Sequence, residues 1–160
     1  MAEDSQIPKK VLVVCTGNTC RSPMAAGWLM QKLAGKGWTA ESAGVAAWGG
    51  TPASPAALAV MREIGIDLSA HRSRKLTRKL ADEATFILAM TDGHRREIAR
   101  HFPETAGKIH LVHGFGLEEE RDVLDPIGLP EDVYRHVRDE LIQALGDFLL
   151  FLADRGELNR

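Results

Sequence analysis

Val11-Leu-Val-Val-Cys-Thr-Gly-Asn-Thr-Cys-Arg-Ser-Pro23 decides the fold of this chain. Val11 to Val14 form an apolar, mostly β-branched run of the kind that fills a buried strand. Five residues separate Cys15 from Arg21. Ser22 is read as the cap of a helix whose first turn takes Pro23 without losing a hydrogen bond. Between strand and helix the loop must close tightly, and Gly17 and Asn18 tolerate the positive φ that turns successive backbone N–H groups inward. The helix aims its positive end at the same point. Thr16 to Ser22 thus predict a backbone cradle for a tetrahedral dianion.

Cys15, at the head of that cradle, faces backbone donors, a helix dipole and the Arg21 guanidinium. These surroundings favour the thiolate at neutral pH. Arg21 offers a planar, two-pronged donor to two phosphoryl oxygens, a geometry lysine lacks. A nucleophile beside an anion site is the expectation for Cys15 and Arg21.

Alternation predicts the rest of the architecture. Strands are expected at Val11–Val14, Thr39–Ala43, Thr85–Met90 and Ile109–Val112, and helices at Met24–Leu33, Pro55–Ile64, Asp92–His101 and Glu131–Leu152. Gly65 stops the second helix. The last helix spaces Val133, Val137, Leu141, Leu145, Phe148 and Leu152 along one face, which is core patterning. Such a chain folds as an α/β protein: one three-layer domain over residues 1–160, with a four-stranded parallel sheet, helices on both faces and a phosphate-binding loop after the first strand. The first nine residues are expected to be flexible. Ligands bind at the carboxyl ends of the strands, where Cys15 and Ser42 fall.

Composition narrows the class. The chain has 160 residues, 44% of them hydrophobic, enough for one core. A net charge of -2 gives no footprint for nucleic acid. The basic run from Arg72 to Lys79 reads as a solvated face. No segment is long and apolar enough to span a bilayer, and Met1 to Lys10 does not read as a signal peptide, so no membrane partner and a cytoplasmic location are expected. The two cysteines, Cys15 and Cys20, both lie in the loop, as suits a reducing compartment. His110 and His113 lack the spacing of a metal site, and neither metal nor cofactor is expected. Trp28 and Trp38 read as core or helix-edge residues.

The loop CTGNTCRSPMA resembles the phosphate-binding loop of the low-molecular-weight protein tyrosine phosphatase family. Glu41–Val45, Gly65–Arg74, Phe86–Thr91 and Asp122–Pro126 are similar to further family segments, in the family's order. The resemblance implies two-step phosphoryl transfer on phosphorylated proteins through a phosphocysteine, with Cys15 as nucleophile. Thiolate attack expels a basic leaving group, so an acid must protonate it, and Asp125, in the Leu124–Gly128 loop, matches that role. The resemblance also implies that Asn18, Ser42 and His71 brace the loop, and that Cys20 traps oxidised Cys15 as a disulfide. A small loop filler is the alternative for Cys20. A monomer is expected.

Thr19 bears on the substrate. Tyrosine-type relatives usually carry Ile before the second cysteine, whereas a Thr hydroxyl narrows the wall and offers an oxygen to a guanidinium. In this the chain resembles the bacterial protein arginine phosphatases, which makes phosphoarginine the expected substrate and phosphotyrosine the alternative. Ile127 departs from the aromatic residue common after Asp-Pro, and Trp48 is a candidate replacement wall through stacking or cation–π contact, with an amphipathic surface Trp as the alternative. An arsenate reductase on the same scaffold would need further thiols away from the loop. A non-catalytic anion-binding module would not need Cys15, Arg21 and Asp125 together.

Overall fold

The computed structural model describes residues 7–158. Its first strand, β1 (Lys9–Cys15), leads into α1 (Arg21–Leu33) and β2 (Trp38–Gly44), followed by α2 (Pro55–Arg62) and α3 (Arg78–Glu83). Then come β3 (Phe86–Ala89), α4 (Asp92–His101), a 3-10 turn (Pro103–Lys108), β4 (Ile109–Leu111) and the long α5 (Glu131–Asp154). The sheet has the order β2-β1-β3-β4, and every pairing is parallel.

Each face of the sheet carries its own core, because alternate residues of a strand point to opposite sides. Val11, Val13 and Cys15 of β1, with Phe86 and Leu88 of β3, pack against Leu29, Val60, Leu145 and Phe148 of α1, α2 and α5. Leu12, Val14, Ile87 and Ala89 pack on the other side with Ala81 of α3 and Ile98 of α4. These are the three layers expected. Trp28 and Trp38 are buried in the first core. On α5 the expected face is inward, with Val133 only half-buried at its start. Arg138 of α5 reaches back to α2, donating to the Val60 carbonyl at 2.7 Å and to Glu63 at 2.8 Å.

Some expectations need correction. Helix α1 begins at Arg21, with Cys20 in the cap position, so Ser22 caps nothing. Its hydroxyl is used inside the loop instead. Lys9, assigned to a flexible leader, opens β1 and pairs with Trp38; Met1–Gln6 lie outside the described residues. Helix α2 stops at Arg62, and the turn through Glu63 and Ile64 reaches Gly65 at φ 80. The short α3 and the 3-10 turn were not expected. Only Ala81 of α3 is buried, so no apolar period marks it, and it is held by Thr77, whose hydroxyl accepts from the Leu80 N–H.

The order places β1 where the topology reverses: α1 and β2 lie to one side, β3 and β4 to the other. Crevices form at such a switch point, beyond the carboxyl ends of the strands. Cys15 is the last residue of β1.

Candidate active site

The loop from Thr16 to Cys20 turns on Asn18, the one non-glycine residue at positive φ (59) among the described residues. Gly17 does not share that conformation, contrary to expectation. A side chain there would meet nothing nearer than the Thr19 hydroxyl, at 3.9 Å. Left-handed backbone suits Asn better than most residues but still carries strain, so the surroundings must hold it.

They hold it on every side. Asn18 is fully buried. Its Nδ2 donates to Ser22 Oγ (2.8 Å) and Ser42 Oγ (2.9 Å), and its Oδ1 accepts from the Arg74 N–H (2.9 Å). Two hydroxyls on one side and an N–H on the other fix the orientation of the amide. The Asn18 carbonyl accepts from His71 Nε2 at 2.7 Å. Burial, then the Asn18 contact in the opposite sense, sets the His71 pKa, which lies below the ordinary imidazole value. The neutral ring with its proton on Nε2 is the form that makes this bond.

Because Asn18 already donates to Ser22 Oγ, the Ser22 hydrogen is free to point at Cys15 Sγ, 2.9 Å away. The chain Asn18 to Ser22 to Cys15 brings a donor to the sulfur. Ser42 and His71 both hydrogen-bond Asn18, through its side-chain amide and its carbonyl respectively. Arg74 joins them: besides its N–H, its Nε donates to the Ser42 carbonyl at 3.0 Å and its Nη2 lies 3.1 Å from Glu41. It falls within the basic run read as a solvated face, whose pattern carried no sign of this.

Backbone bonds lace the cradle to the segment after β2. Val45 donates to the Cys15 carbonyl (2.9 Å), Ala46 to Thr16 (3.0 Å) and Ser54 to Thr19 (2.9 Å). Gly44 lies under this lacing. A Cβ built there would stand 2.4 Å from the Thr16 carbonyl oxygen and 2.9 Å from Ala47 Cβ. Gly44→Ala is expected to displace the loop, costing about 1–3 kcal/mol. A melting temperature lowered by several degrees, with weakened inorganic phosphate binding, is the expected result; wild-type values for both would contradict it.

From Thr16 to Ser22 the backbone N–H groups find no protein acceptor among the described residues. Buried or inward N–H groups in such a row form an anion-binding nest. Arg21 completes it. Only 3% exposed, it donates from Nη1 to the Val123 carbonyl (2.9 Å), and its Nη2 lies 3.4 Å from Asp125 Oδ2. Its Nε is buried with no partner. A buried donor on a cation, beside a row of unpaired N–H groups, suits a phosphoryl group.

Asp125 reaches the cradle because Val123 anchors its loop. The Val123 N–H bonds to Met90, past the end of β3, while its carbonyl takes the Arg21 bond. Asp125 Oδ1 accepts from the Ile127 N–H (3.1 Å), and Gly128 at φ 77 closes the turn. The carboxylate is about half open to solvent, as a group that exchanges protons with water requires. Trp48 and Ile127, the expected wall residues, stand on separate loops, 85% and 62% exposed.

Further contacts escaped sequence reasoning. His94, third residue of α4, places Nε2 2.8 Å from Thr16 Oγ1. Tyr134 of α5 sets its hydroxyl 3.2 Å from Cys20 Sγ, and burial pushes its pKa up to about 12, so the phenol stays protonated. Ser54 Oγ lies 3.5 Å from the same sulfur. Both thiols are free and buried. His113 pairs with Glu140, and His110 packs on Phe86 and Phe115. No helix among the described residues is long and apolar enough to cross a membrane.

A parallel α/β sheet with a cysteine at the end of its first strand, an anion nest after it and an arginine opening the next helix defines a cysteine-based phosphatase class. Residues 10–158 match the family model described as low molecular weight phosphotyrosine protein phosphatase, and the chain belongs to that family of phosphatase hydrolases. It is 47% identical over 135 residues to a protein-arginine-phosphatase of Geobacillus stearothermophilus, covering 84% of this chain and 90% of the relative. It is 43% identical over 118 residues to the probable low molecular weight protein-tyrosine-phosphatase EpsP of Ralstonia solanacearum, covering 74% and 78%. The solved YwlE arginine phosphatase from Geobacillus stearothermophilus superimposes with a TM-score of 0.87 at 42% identity, covering 92% of this chain and 95% of that one.

Proposed function

We propose that this chain removes phosphoryl groups from phosphorylated proteins, arginine-linked ones by preference, through a phosphocysteine on Cys15. The observation that carries the reading is the row of unpaired N–H groups with the unpartnered Arg21 Nε, around a cysteine that already has a hydroxyl donor. Thr16, Gly17, Asn18, Thr19, Cys20 and Ser22 bind the phosphoryl oxygens through the backbone, and Arg21 binds them through its guanidinium.

In the first step the Cys15 thiolate attacks phosphorus. The S–P bond forms while the P–N bond of phosphoarginine, or the P–O bond of phosphotyrosine, breaks, and the Asp125 carboxyl gives its proton to the departing atom. In the second, the Asp125 carboxylate takes a proton from water as that water attacks phosphorus. Inorganic phosphate leaves and the thiolate returns. Residues 1–160 act as one catalytic domain and as a monomer, in the cytoplasm, without metal or cofactor. When a peroxide oxidises Cys15 to the sulfenic acid, Cys20 displaces water from it to form a disulfide that dithiols reverse.

Thr19 supports the arginine preference. It is half-buried, and its hydroxyl has only the soft sulfur of Cys20 for a side-chain partner, at 3.7 Å, leaving it free to accept from a guanidinium N–H. The Geobacillus relative carries the name of an arginine phosphatase. Trp48 and Ile127 form the outer wall for the substrate's side chain. The test compares kcat/KM on phosphoarginine and phosphotyrosine proteins for wild type and Thr19→Ile. Wild type is expected to favour phosphoarginine, and Thr19→Ile to move the ratio toward phosphotyrosine about tenfold or more. An unchanged ratio removes Thr19 from the account, and a wild type that favours phosphotyrosine overturns the preference.

A further inference from the structure

Thr16 follows the nucleophile directly as the first residue of the cradle, and it is an exposed residue. Its hydroxyl meets His94 Nε2 at 2.8 Å, while His94 Nδ1 is buried without a partner. Two tautomers satisfy the 2.8 Å contact, and they leave different atoms orphaned. If Nε2 accepts, the ring proton sits on Nδ1 and a buried N–H goes bare. If Nε2 donates, Nδ1 exposes only a lone pair. Bare buried donors are the rarer and costlier of the two. The Nε2–H tautomer follows, and with it the direction of the hydroxyl: Thr16 Oγ1 accepts from His94, which leaves the Thr16 hydrogen free to be given away.

We propose that His94 is a positioning residue that turns the Thr16 hydroxyl into a fixed hydrogen-bond donor at the rim of the cradle, for an oxygen of the bound phosphoryl group. This rests on the phosphatase reading above but not on the choice between arginine and tyrosine. Helix α4 builds the arrangement. Its cap, Thr91, accepts from the His94 N–H (3.0 Å), and its first N–H, from Asp92, bonds Asp122 Oδ1 (2.8 Å) three residues before Asp125. The loop that carries Asp125 and the residue that aligns Thr16 are thereby tied to one helix end.

The ring must stay neutral to leave Nδ1 bare, and its surroundings keep it so. Burial first, then the Arg21 charge on α1, lowers the His94 pKa to about 4, against the opposing pull of Asp125 and Asp122. At neutral pH His94 therefore adds no positive charge beside Arg21.

Long-range 15N–1H NMR of the wild-type protein reads the tautomer directly, without turnover: the expected result is a protonated Nε2 and a bare Nδ1, and a protonated Nδ1 overturns the proposal. Kinetics on p-nitrophenyl phosphate and inhibition by orthovanadate then test the consequence. Thr16→Val and His94→Ala are each expected to lose about tenfold in kcat/KM and in vanadate affinity. The double variant should lose little more than either, and His94→Gln, which keeps a donor, should recover part of the loss. Additive losses, or a Thr16→Val variant equal to wild type, would show that His94 only fills space. A wild type with the expected tautomer but inactive on p-nitrophenyl phosphate and on phosphoarginine and phosphotyrosine proteins alike would fail the phosphatase reading instead, leaving the geometry standing.

Discussion

Cys15→Ser is expected to lose turnover by a factor on the order of 10^4 to 10^6, because it removes the atom to which phosphorus is transferred. Nothing else in the cradle replaces it. A serine hydroxyl is far less acidic than a thiol, and Asn18 and Ser22 supply hydrogen bonds but no base. The same variant should still bind inorganic phosphate, since the row of N–H groups from Thr16 to Ser22 and the Arg21 Nε belong to residues it leaves alone. Phosphate titration beside steady-state kinetics separates the two. Loss of binding with loss of turnover would mean that the cradle had collapsed. Retained turnover would remove Cys15 from the chemistry.

Asp125→Asn carries the second large effect, on the order of 10^2 to 10^4 in kcat, the range of a positioned proton donor. The loss should scale with the basicity of the leaving group. An alkylguanidine is more basic than a phenol, whose pKa is about 10, so phosphoarginine should suffer more than phosphotyrosine, and an acidic nitrophenol least. The variant also removes the negative partner 3.4 Å from Arg21 Nη2, so phosphate should bind at least as tightly as to wild type. A uniform loss across leaving groups would show that Asp125 acts through Arg21 and not as an acid.

Acid should also loosen the fold. The unfolded chain takes up a proton on His94 near its ordinary pKa of 6.5, whereas the folded ring resists until about pH 4. The unfolded state therefore binds more protons in that window, and stability falls as pH drops through it.

Much of this was legible in the sequence because it is local. An apolar tetrad, a Cys, five residues and Arg describe one strand, one loop and one helix start, and chain geometry does the rest. The alternation of strands and helices was equally plain, since each strand is a short buried run. What stayed hidden depends on contacts between distant segments. His94 meets Thr16 across 78 positions, and Tyr134 meets Cys20 across 114. The cap Thr91 marked where α4 begins, but its third residue could as well have faced solvent. Arg74 sat in a run of cations that look alike until one backbone N–H proves to face Asn18. Ser22 was visible as a hydroxyl at a helix start, the usual cap, yet the helix opens one residue earlier and the hydroxyl turns to Cys15. Gly17 and Asn18 both read as tolerant of positive φ, and of the two only Asn18 takes it.

The phosphocysteine is the centre of the account, and it can be seen. Rapid quench in alkaline denaturant of wild type and of Asp125→Asn turning over p-nitrophenyl phosphate, whose weakly basic leaving group least needs the acid, followed by mass spectrometry of the peptide spanning the loop, should find the phosphoryl group on Cys15 and on no other residue. A substrate turned over with Cys15 never phosphorylated, or with the phosphoryl group on another side chain, would contradict it.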